Sequence, residues 1–235
     1  MATTRRRVAI LAPMQIEADP IVRGLYLEGG DGEWRGPIGS IEVVTLLTNI
    51  GMAAARAAAE RAVGLDVDLV MVVGIAGGLD PAREIGTVIR PDVVADRGRG
   101  TDYRPVWPDH ISPVGVLSSG DDFITDPAEL DALWRSGVIA VDMETAAIAD
   151  VCEQSGVAWS VHRSISDRPS DGFVDDAVWA MTQPDGHADR DALAEYLRAD
   201  PARAARLAQL ARDAEIATNA AADDAMTTLR NLGTA

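Results

Sequence analysis

Short apolar runs alternate along the chain with longer segments whose apolar residues recur every three or four positions. That is the arrangement of strands joined by crossover helices. The apolar runs predict strands over residues 8–12, 41–48, 68–73, 87–95, 114–118, 138–141 and 157–165. Leu69-Val70-Met71-Val72-Val73 is apolar at every position, as a strand covered on both faces should be. Helices are predicted over residues 17–27, 53–64, 127–136, 144–154 and 201 to about 230. The last starts with Asp200 as cap and Pro201 in its first turn. Its alanines and leucines favour helix, with the acidic pair Asp223-Asp224 facing water. Residues 98–113, rich in Gly, Pro and Arg, read as loop, and so do residues 167–191 apart from a short turn over 174–181. There is no internal repeat, and the pattern reads as a single α/β domain over residues 1–235.

Composition narrows the chemistry. A net charge of −16 repels phosphate backbones and anionic membranes, which argues against nucleic-acid and membrane partners. A neutral nucleoside meets no such barrier. The chain contains no lysine, so a Walker-type phosphate loop, Schiff-base chemistry and lysine-bound pyridoxal phosphate are excluded. One cysteine, Cys152, excludes an intramolecular disulfide and a cysteine-built zinc site; it reads as a small core residue in a cytoplasmic protein. His110, His162 and His187 have no metal-ligand spacing, so no metal and no cofactor is expected. Arg5-Arg6-Arg7 before Val8 mimics the start of a signal peptide, but the apolar run is short and soon meets Glu17 and Asp19, which reads as a first strand.

Ligands of open α/β sheets collect beyond the carboxyl ends of strands. Four segments fall there: Pro13-Met14-Gln15-Ile16-Glu17, Gly74-Ile75-Ala76-Gly77-Gly78, Asp142-Met143-Glu144 and Arg163-Ser164-Ile165-Ser166-Asp167. The glycine segment fits either a tight strand exit or a backbone cradle for a ligand; it lacks the spacing of a dinucleotide fingerprint. Asp167, at the polar tip of an apolar strand, fits either a proton donor or a turn aspartate. Glu144 and Glu17 each fit either a helix first-turn acid or a ligand-binding carboxylate.

Taken in order, these segments resemble the 5'-methylthioadenosine/S-adenosylhomocysteine nucleosidases of the nucleoside phosphorylase superfamily. The likeness runs from Val8-Ala9-Ile10-Leu11-Ala12-Pro13-Met14 through Asn49-Ile50-Gly51 and Gly74-Ile75-Ala76-Gly77-Gly78-Leu79. It continues in Ser119-Gly120-Asp121-Asp122-Phe123-Ile124, Val141-Asp142-Met143-Glu144-Thr145-Ala146 and Arg163-Ser164-Ile165-Ser166-Asp167. The resemblance implies a three-layer α/β/α fold with a central, twisted, mixed sheet. It implies that Asp167 protonates a purine as its glycosidic bond breaks and that Glu17 positions and deprotonates water. Glu144 then holds the ribose hydroxyls, Met143 packs on the sugar, Phe123 stacks on the base and the Ile124 backbone meets the base edge. Arg163 falls near the water site, with Met14, Ile50, Ala76 and Gly77 among the substrate-contacting positions.

The implied reaction is hydrolysis of a purine nucleoside, with 5'-modified adenosines such as methylthioadenosine or S-adenosylhomocysteine as candidates, by a homodimer. Breaking the bond passes through an oxocarbenium-like sugar, so an acid for the base and a carboxylate for water are both wanted. Glu17 would repel phosphate, whereas Asp19-Pro20 and Arg23 echo a phosphate segment; a phosphorylase is the alternative, and a catalytically weak nucleoside-binding protein a third. Three departures bear on this. Ile75 replaces a customary hydroxyl residue, Asp142 replaces a glutamate, and residues 95–116 are shortened while the tail gains a helical segment over 192–197. Tyr103, Val106 and Trp107 either refill the 5' pocket or anchor a surface loop, and the aromatics of that loop are the expected dimer contact.

Overall fold

The computed structural model describes residues 6–107, 112–168 and 175–234. Along the chain the elements are β1 (Arg6–Ala12), α1 (Gln15–Gly24), β2 (Glu28–Gly30), β3 (Glu33–Ile38), β4 (Ile41–Leu47), α2 (Met52–Val63), β5 (Leu69–Gly78), β6 (Val88–Ile89) and β7 (Val93–Asp96). They continue with β8 (Thr101–Tyr103), β9 (Val116–Ser119), α3 (Pro127–Arg135), β10 (Val138–Asp142), α4 (Thr145–Ser155), β11 (Ala158–Asp167), α5 (Asp176–Ala180), α6 (Arg190–Ala199) and α7 (Arg203–Thr234).

One mixed sheet runs in the order β2-β3-β4-β1-β5-β10-β9-β7-β8, and β11 pairs with both β5 and β6. Strand β5 is the branch point. Its first half runs parallel to β1, with Val8 opposite Leu69, and its last residues pair antiparallel with β10, with Ala140 opposite Gly78. Strand β11 lies parallel to β5 along nearly its whole length. Each central strand is covered on both faces by alternate residues. Val8, Ile10, Met71 and Val73 pack against α1 and α7, while Ala9, Leu11, Val70 and Val72 pack against α2 and α4. The helices meet the sheet through small residues, among them Ala55, Ala59, Ala62, Ala146 and Ala149 on one side and Ala221, Ala222 and Ala225 on the other. The three-layer α/β/α architecture follows.

Several expected elements need correction. The strand expected over 68–73 continues to Gly78, because pairing with β11 and β10 carries the backbone through the glycines. The strand expected over 87–95 is broken into β6 and β7 around Pro91, which has no N–H to give a ladder. Unforeseen are the hairpin β2–β3, turning at Asp31-Gly32 with φ of 52° and 81°, and the short strand β8 inside the presumed loop 98–113. The turn expected over 174–181 contains helix α5; residue 174, like His110, lies outside the described residues. The helical segment anticipated over 192–197 is part of α6. Cys152 is buried, and burial pushes its thiol up to about 12.

Asp223 faces water as expected, but Asp224 does not. Its carboxylate meets His162 Nδ1 at 2.6 Å and Arg90 Nη2 at 2.5 Å, and Ser160 Oγ lies 3.0 Å from His162 Nε2. Burial alone would raise the pKa of Asp224; His162 and Arg90 outweigh it and hold the group low. This contact ties α7 to the back of β11. Among the described residues no helix is long and apolar enough to cross a membrane.

Asp224→Ala should leave the buried His162 Nδ1 without its acceptor, remove the Arg90 ion pair and cost about 1–3 kcal/mol. Urea unfolding should show a lower midpoint with an unchanged slope, and Asp224→Asn should lose less. An unaltered midpoint in the alanine variant would show that the contact contributes nothing to stability.

Candidate active site

The site is built around one buried guanidinium. Arg163, on β11, has a side chain that is 1% exposed. Its Nη2 lies 2.8 Å from Glu144 Oε2 and 2.9 Å from Asp142 Oδ2, and its Nη1 is 3.5 Å from Glu17 Oε1. Nη1 also donates to the Ile75 carbonyl at 3.1 Å. Three segments distant in sequence therefore converge on one cation carried by a fourth. A charge this far from water survives only when paired and hydrogen-bonded.

Each carboxylate is held by local structure. Glu17 lies in the first turn of α1, where Oε2 accepts the Met14 N–H at 2.7 Å and Oε1 accepts the Ile75 N–H at 2.8 Å. The helix-capping reading of Glu17 is thus correct, and so is its place in the cavity. The backbone N–H of Ile75 holds the carboxylate without the customary hydroxyl. Gly74 is required here. A Cβ at that position would sit 2.2 Å from Glu17 Oε1 and 2.6 Å from Arg163 Nη1. Glu144 precedes α4 and turns inward, with Oε1 accepting the Gly51 N–H at 3.0 Å. Asp142 accepts from both the hydroxyl and the N–H of Thr145, which caps the turn into α4. The shorter Asp142 side chain is therefore committed to Arg163 and Thr145.

Electrostatics follow from burial. Glu17 is pushed up to about 7 by burial, which the Arg163 charge and the two backbone donors oppose without cancelling. Burial likewise raises Glu144 against the pull of Arg163. Arg163 is held more firmly protonated than usual, because Asp142, Glu144 and Glu17 outweigh the burial that disfavours its charge.

The opposite wall comes from the end of β11 and from loops. Ser166 donates to Asp167 Oδ1 at 2.7 Å, at the strand's last residue. Phe123 and Ile124 lie between β9 and α3, and the Phe123 ring stacks on Trp179 of α5 with centroids 5.0 Å apart and planes 10° from parallel. These groups enclose a cavity of about 230 Å³. A single water needs only about 10–15 Å³ by that measure, so the space suits an organic ligand.

Glu17, Glu144 and Asp167 line this one cavity, and so do Met14, Ile50, Ala76, Gly77, Phe123, Ile124, Met143 and Arg163. The structure brings every anticipated site residue to it. Tyr103, Val106 and Trp107 do not line it, which rules out their refilling the pocket. Tyr103 is buried with its hydroxyl on Asp150 Oδ1, and Trp107 meets His162 edge-on at 6.3 Å. Trp179, in the turn expected over 174–181, and Thr182, in the segment read as loop, line it instead. That segment is pinned over the mouth, where Pro184 accepts the Ile50 N–H at 2.8 Å and Gly186 abuts Met14. Arg97 is a further lining residue that the sequence did not flag. Asp19 and Arg23, which echoed a phosphate segment, pair with each other at 3.5 Å on exposed α1 surface and do not line the cavity. Among the described residues no cluster of His, Cys, Asp or Glu could hold a metal ion.

Comparison with known proteins agrees with the fold. The 5'-methylthioadenosine/S-adenosylhomocysteine nucleosidase of Exiguobacterium sp. is 29% identical over 198 residues, 68% of this chain and 84% of the relative. The Helicobacter pylori enzyme of that name, solved in complex with a pyrrolidinol compound, superposes with a TM-score of 0.72 at 18% identity, covering 97% of this chain and all of its own. The native futalosine hydrolase of Helicobacter pylori gives 0.71 at 18% identity, covering 97% and 98%. At such identity these structures share the fold. The family model described as the phosphorylase superfamily matches residues 7–114 and 109–214, and the chain belongs to that superfamily.

Proposed function

We propose that the protein is an N-ribosyl hydrolase that cleaves the glycosidic bond of a purine nucleoside, with 5'-modified adenosines such as methylthioadenosine or S-adenosylhomocysteine as its substrate class. The names of its sequence relatives support that class. The single observation that carries hydrolysis is the state of the cations in the cavity. Phosphorolysis needs uncommitted cationic donors for phosphate. Among the described lining residues the cations are Arg97 and Arg163. Arg163 is committed to three carboxylates and Arg97 to backbone carbonyls. The buried carboxylate of Glu17 on that side repels an anion and suits a water.

The reaction then divides between two faces of the sugar. As the C–N bond breaks, its electron pair leaves with the base, and Asp167 delivers a proton to the purine ring. Glu17 takes a proton from the water whose oxygen bonds to the anomeric carbon. Glu144 accepts from the ribose hydroxyls, Met143 packs on the sugar and Phe123 stacks on the base. Pairing with Arg163 fixes Glu17 and Glu144 before substrate arrives, so orientation is supplied by the fold. A single domain, a cytoplasmic setting and a homodimer belong to the same reading. Tyr103 and Trp107 are already packed within the chain, which leaves Val106 as the exposed large apolar residue among the described residues of the 98–113 loop expected at the dimer contact.

Purified protein should release free base from a purine nucleoside without phosphate, and Asp167→Asn should lower kcat by about 10²–10⁴-fold. Strict dependence on phosphate would replace the hydrolase with a phosphorylase. Light scattering should give twice the chain mass.

Glu17 must be ionised to accept a proton, so kcat/KM should rise with pH through about 7, and Glu17→Gln should abolish that limb together with most of the activity. The folded pKa lies above the ordinary carboxyl value of 4.5, so the native state binds the extra proton and stability contributed by Glu17 falls as pH rises from about 4.5 to about 7. Glu17→Gln should flatten that decline in denaturant titrations at several pH values. A wild-type profile flat across this range would contradict the assignment.

A further inference from the structure

The loop carrying Phe123 and Ile124 has no regular secondary structure, yet it forms one wall of the cavity. Arg97, the residue after β7, reaches into its back. Nη1 donates to the Ser118 carbonyl at 3.1 Å and lies 3.4 Å from Ser118 Oγ. Nη2 donates to the carbonyls of Gly120 at 3.1 Å and Asp122 at 2.9 Å. The Arg97 backbone N–H adds a bond to the Ser119 carbonyl at 2.9 Å. The guanidinium lies flat on Gly120, where a Cβ would come within 3.2–3.3 Å of Nη2, Cζ and Nε. Three carbonyls from residues 118–122 therefore turn towards one planar fork, a geometry that the compact ammonium of lysine does not reproduce.

Water would satisfy these carbonyls if the loop merely connected two elements. A half-buried cation is a costlier solution, and charge-assisted bonds to successive carbonyls fix backbone direction as water cannot. The segment so fixed leads directly into Phe123 and Ile124. Met52 adds a second restraint, its N–H donating to Asp121 Oδ1 at 2.7 Å.

We propose that Arg97 is a positioning residue for base recognition, holding the 118–122 backbone so that Phe123 and Ile124 present a preformed face to a purine ring. The proposal rests on the nucleoside-cleaving reading of the cavity. A preformed face spares the ligand the entropy of ordering the loop, so the loss of Arg97 is felt in binding. The proton donor and the water-side carboxylate stand on β11 and α1, away from this loop, so the chemical step is largely spared.

The test compares wild type, Arg97→Ala and Arg97→Lys in adenine binding by calorimetry, in steady-state cleavage of methylthioadenosine and in thermal unfolding. Arg97→Ala should raise KM and the adenine Kd by about tenfold or more, the scale set by losing charge-assisted hydrogen bonds, while kcat stays within about threefold. Arg97→Lys should recover part of the affinity, and millimolar guanidinium should restore binding to the alanine variant. Unchanged adenine affinity in Arg97→Ala, or a kcat loss as large as the KM increase with no guanidinium rescue, overturns the proposal and leaves the hydrolase reading standing. A wild type that cleaves no purine nucleoside overturns that reading instead. Amide exchange over residues 118–124 then decides the positioning role: faster exchange in Arg97→Ala, slowed by guanidinium, supports it, and unchanged exchange overturns it. Should Arg97→Ala fail to fold, Arg97→Lys carries the same measurements.

Discussion

Arg163 and the three carboxylates around it hold together the parts of the molecule that matter for chemistry. Removing a carboxylate or guanidinium from water costs several kcal/mol even after relaxation, and well-packed apolar residues would serve stability as well or better. Here four such groups share one pocket, contributed by α1, the β10–α4 junction and β11. The arrangement dictates much around it. Gly74 can carry no side chain, the Ile75 backbone serves both Glu17 and Arg163, and Thr145 must accompany Asp142. In return a carboxylate pKa is pushed up to about 7 in the place where the proposed hydrolysis would deprotonate a water.

The rest of the interior is built to bring those segments close. Hydrophobic residues make up 47% of the chain but aromatics only 4%, so the layers are packed largely with alanine and valine. Alanine-faced helices lie close to the sheet, so Glu17 in α1 and Glu144 at the start of α4 reach the cavity from the ends of β1 and β10, on either side of β5. Trp34 and Trp159 fill core positions, whereas Phe123 and Trp179 are reserved for the cavity wall. Large flat surfaces thus stand where a flat ligand is expected.

What the sequence reveals depends on whether the cause is local. The continuous apolar runs of β1 and β5 show directly, because a strand covered on both faces must be apolar at each residue. Glu17, Glu144 and Asp167 stand out because carboxylates at the tips of apolar strands are conspicuous, and the order of segments in the family pattern ties them together. Glycines 74, 77 and 78 mislead. They mark a strand exit by local rules, yet β5 continues because β11 and β10 are there to pair with it. Asp224 misleads for a similar reason: beside Asp223 it looks solvated, and only tertiary packing supplies His162 and Arg90. Trp179 and Arg97 carry no local signal at all, since one lies in a segment of turn residues and the other in an Arg-Gly run. Tyr103 and Trp107 have the right chemistry for a pocket wall but face the far side of α4 and β11.

Strand β11 carries two of the residues that line the cavity, Arg163 and Asp167. They stand four residues apart, or roughly 13 Å at the rise of a regular strand. Strict alternation would set Ser166 and Asp167 on opposite faces, yet both line the cavity. The ladder with β5 explains this. Ile165 pairs with Ala76 but Asp167 with Gly77, so two residues of β11 advance against one of β5. That is a β-bulge, which unpairs one residue and re-aims the next. Without it Asp167 would face Gly78, one position further along β5. Alternation alone sets Arg163 and Asp167, four residues apart, on one face of the strand, and the irregular end adds Ser166 to the same cavity.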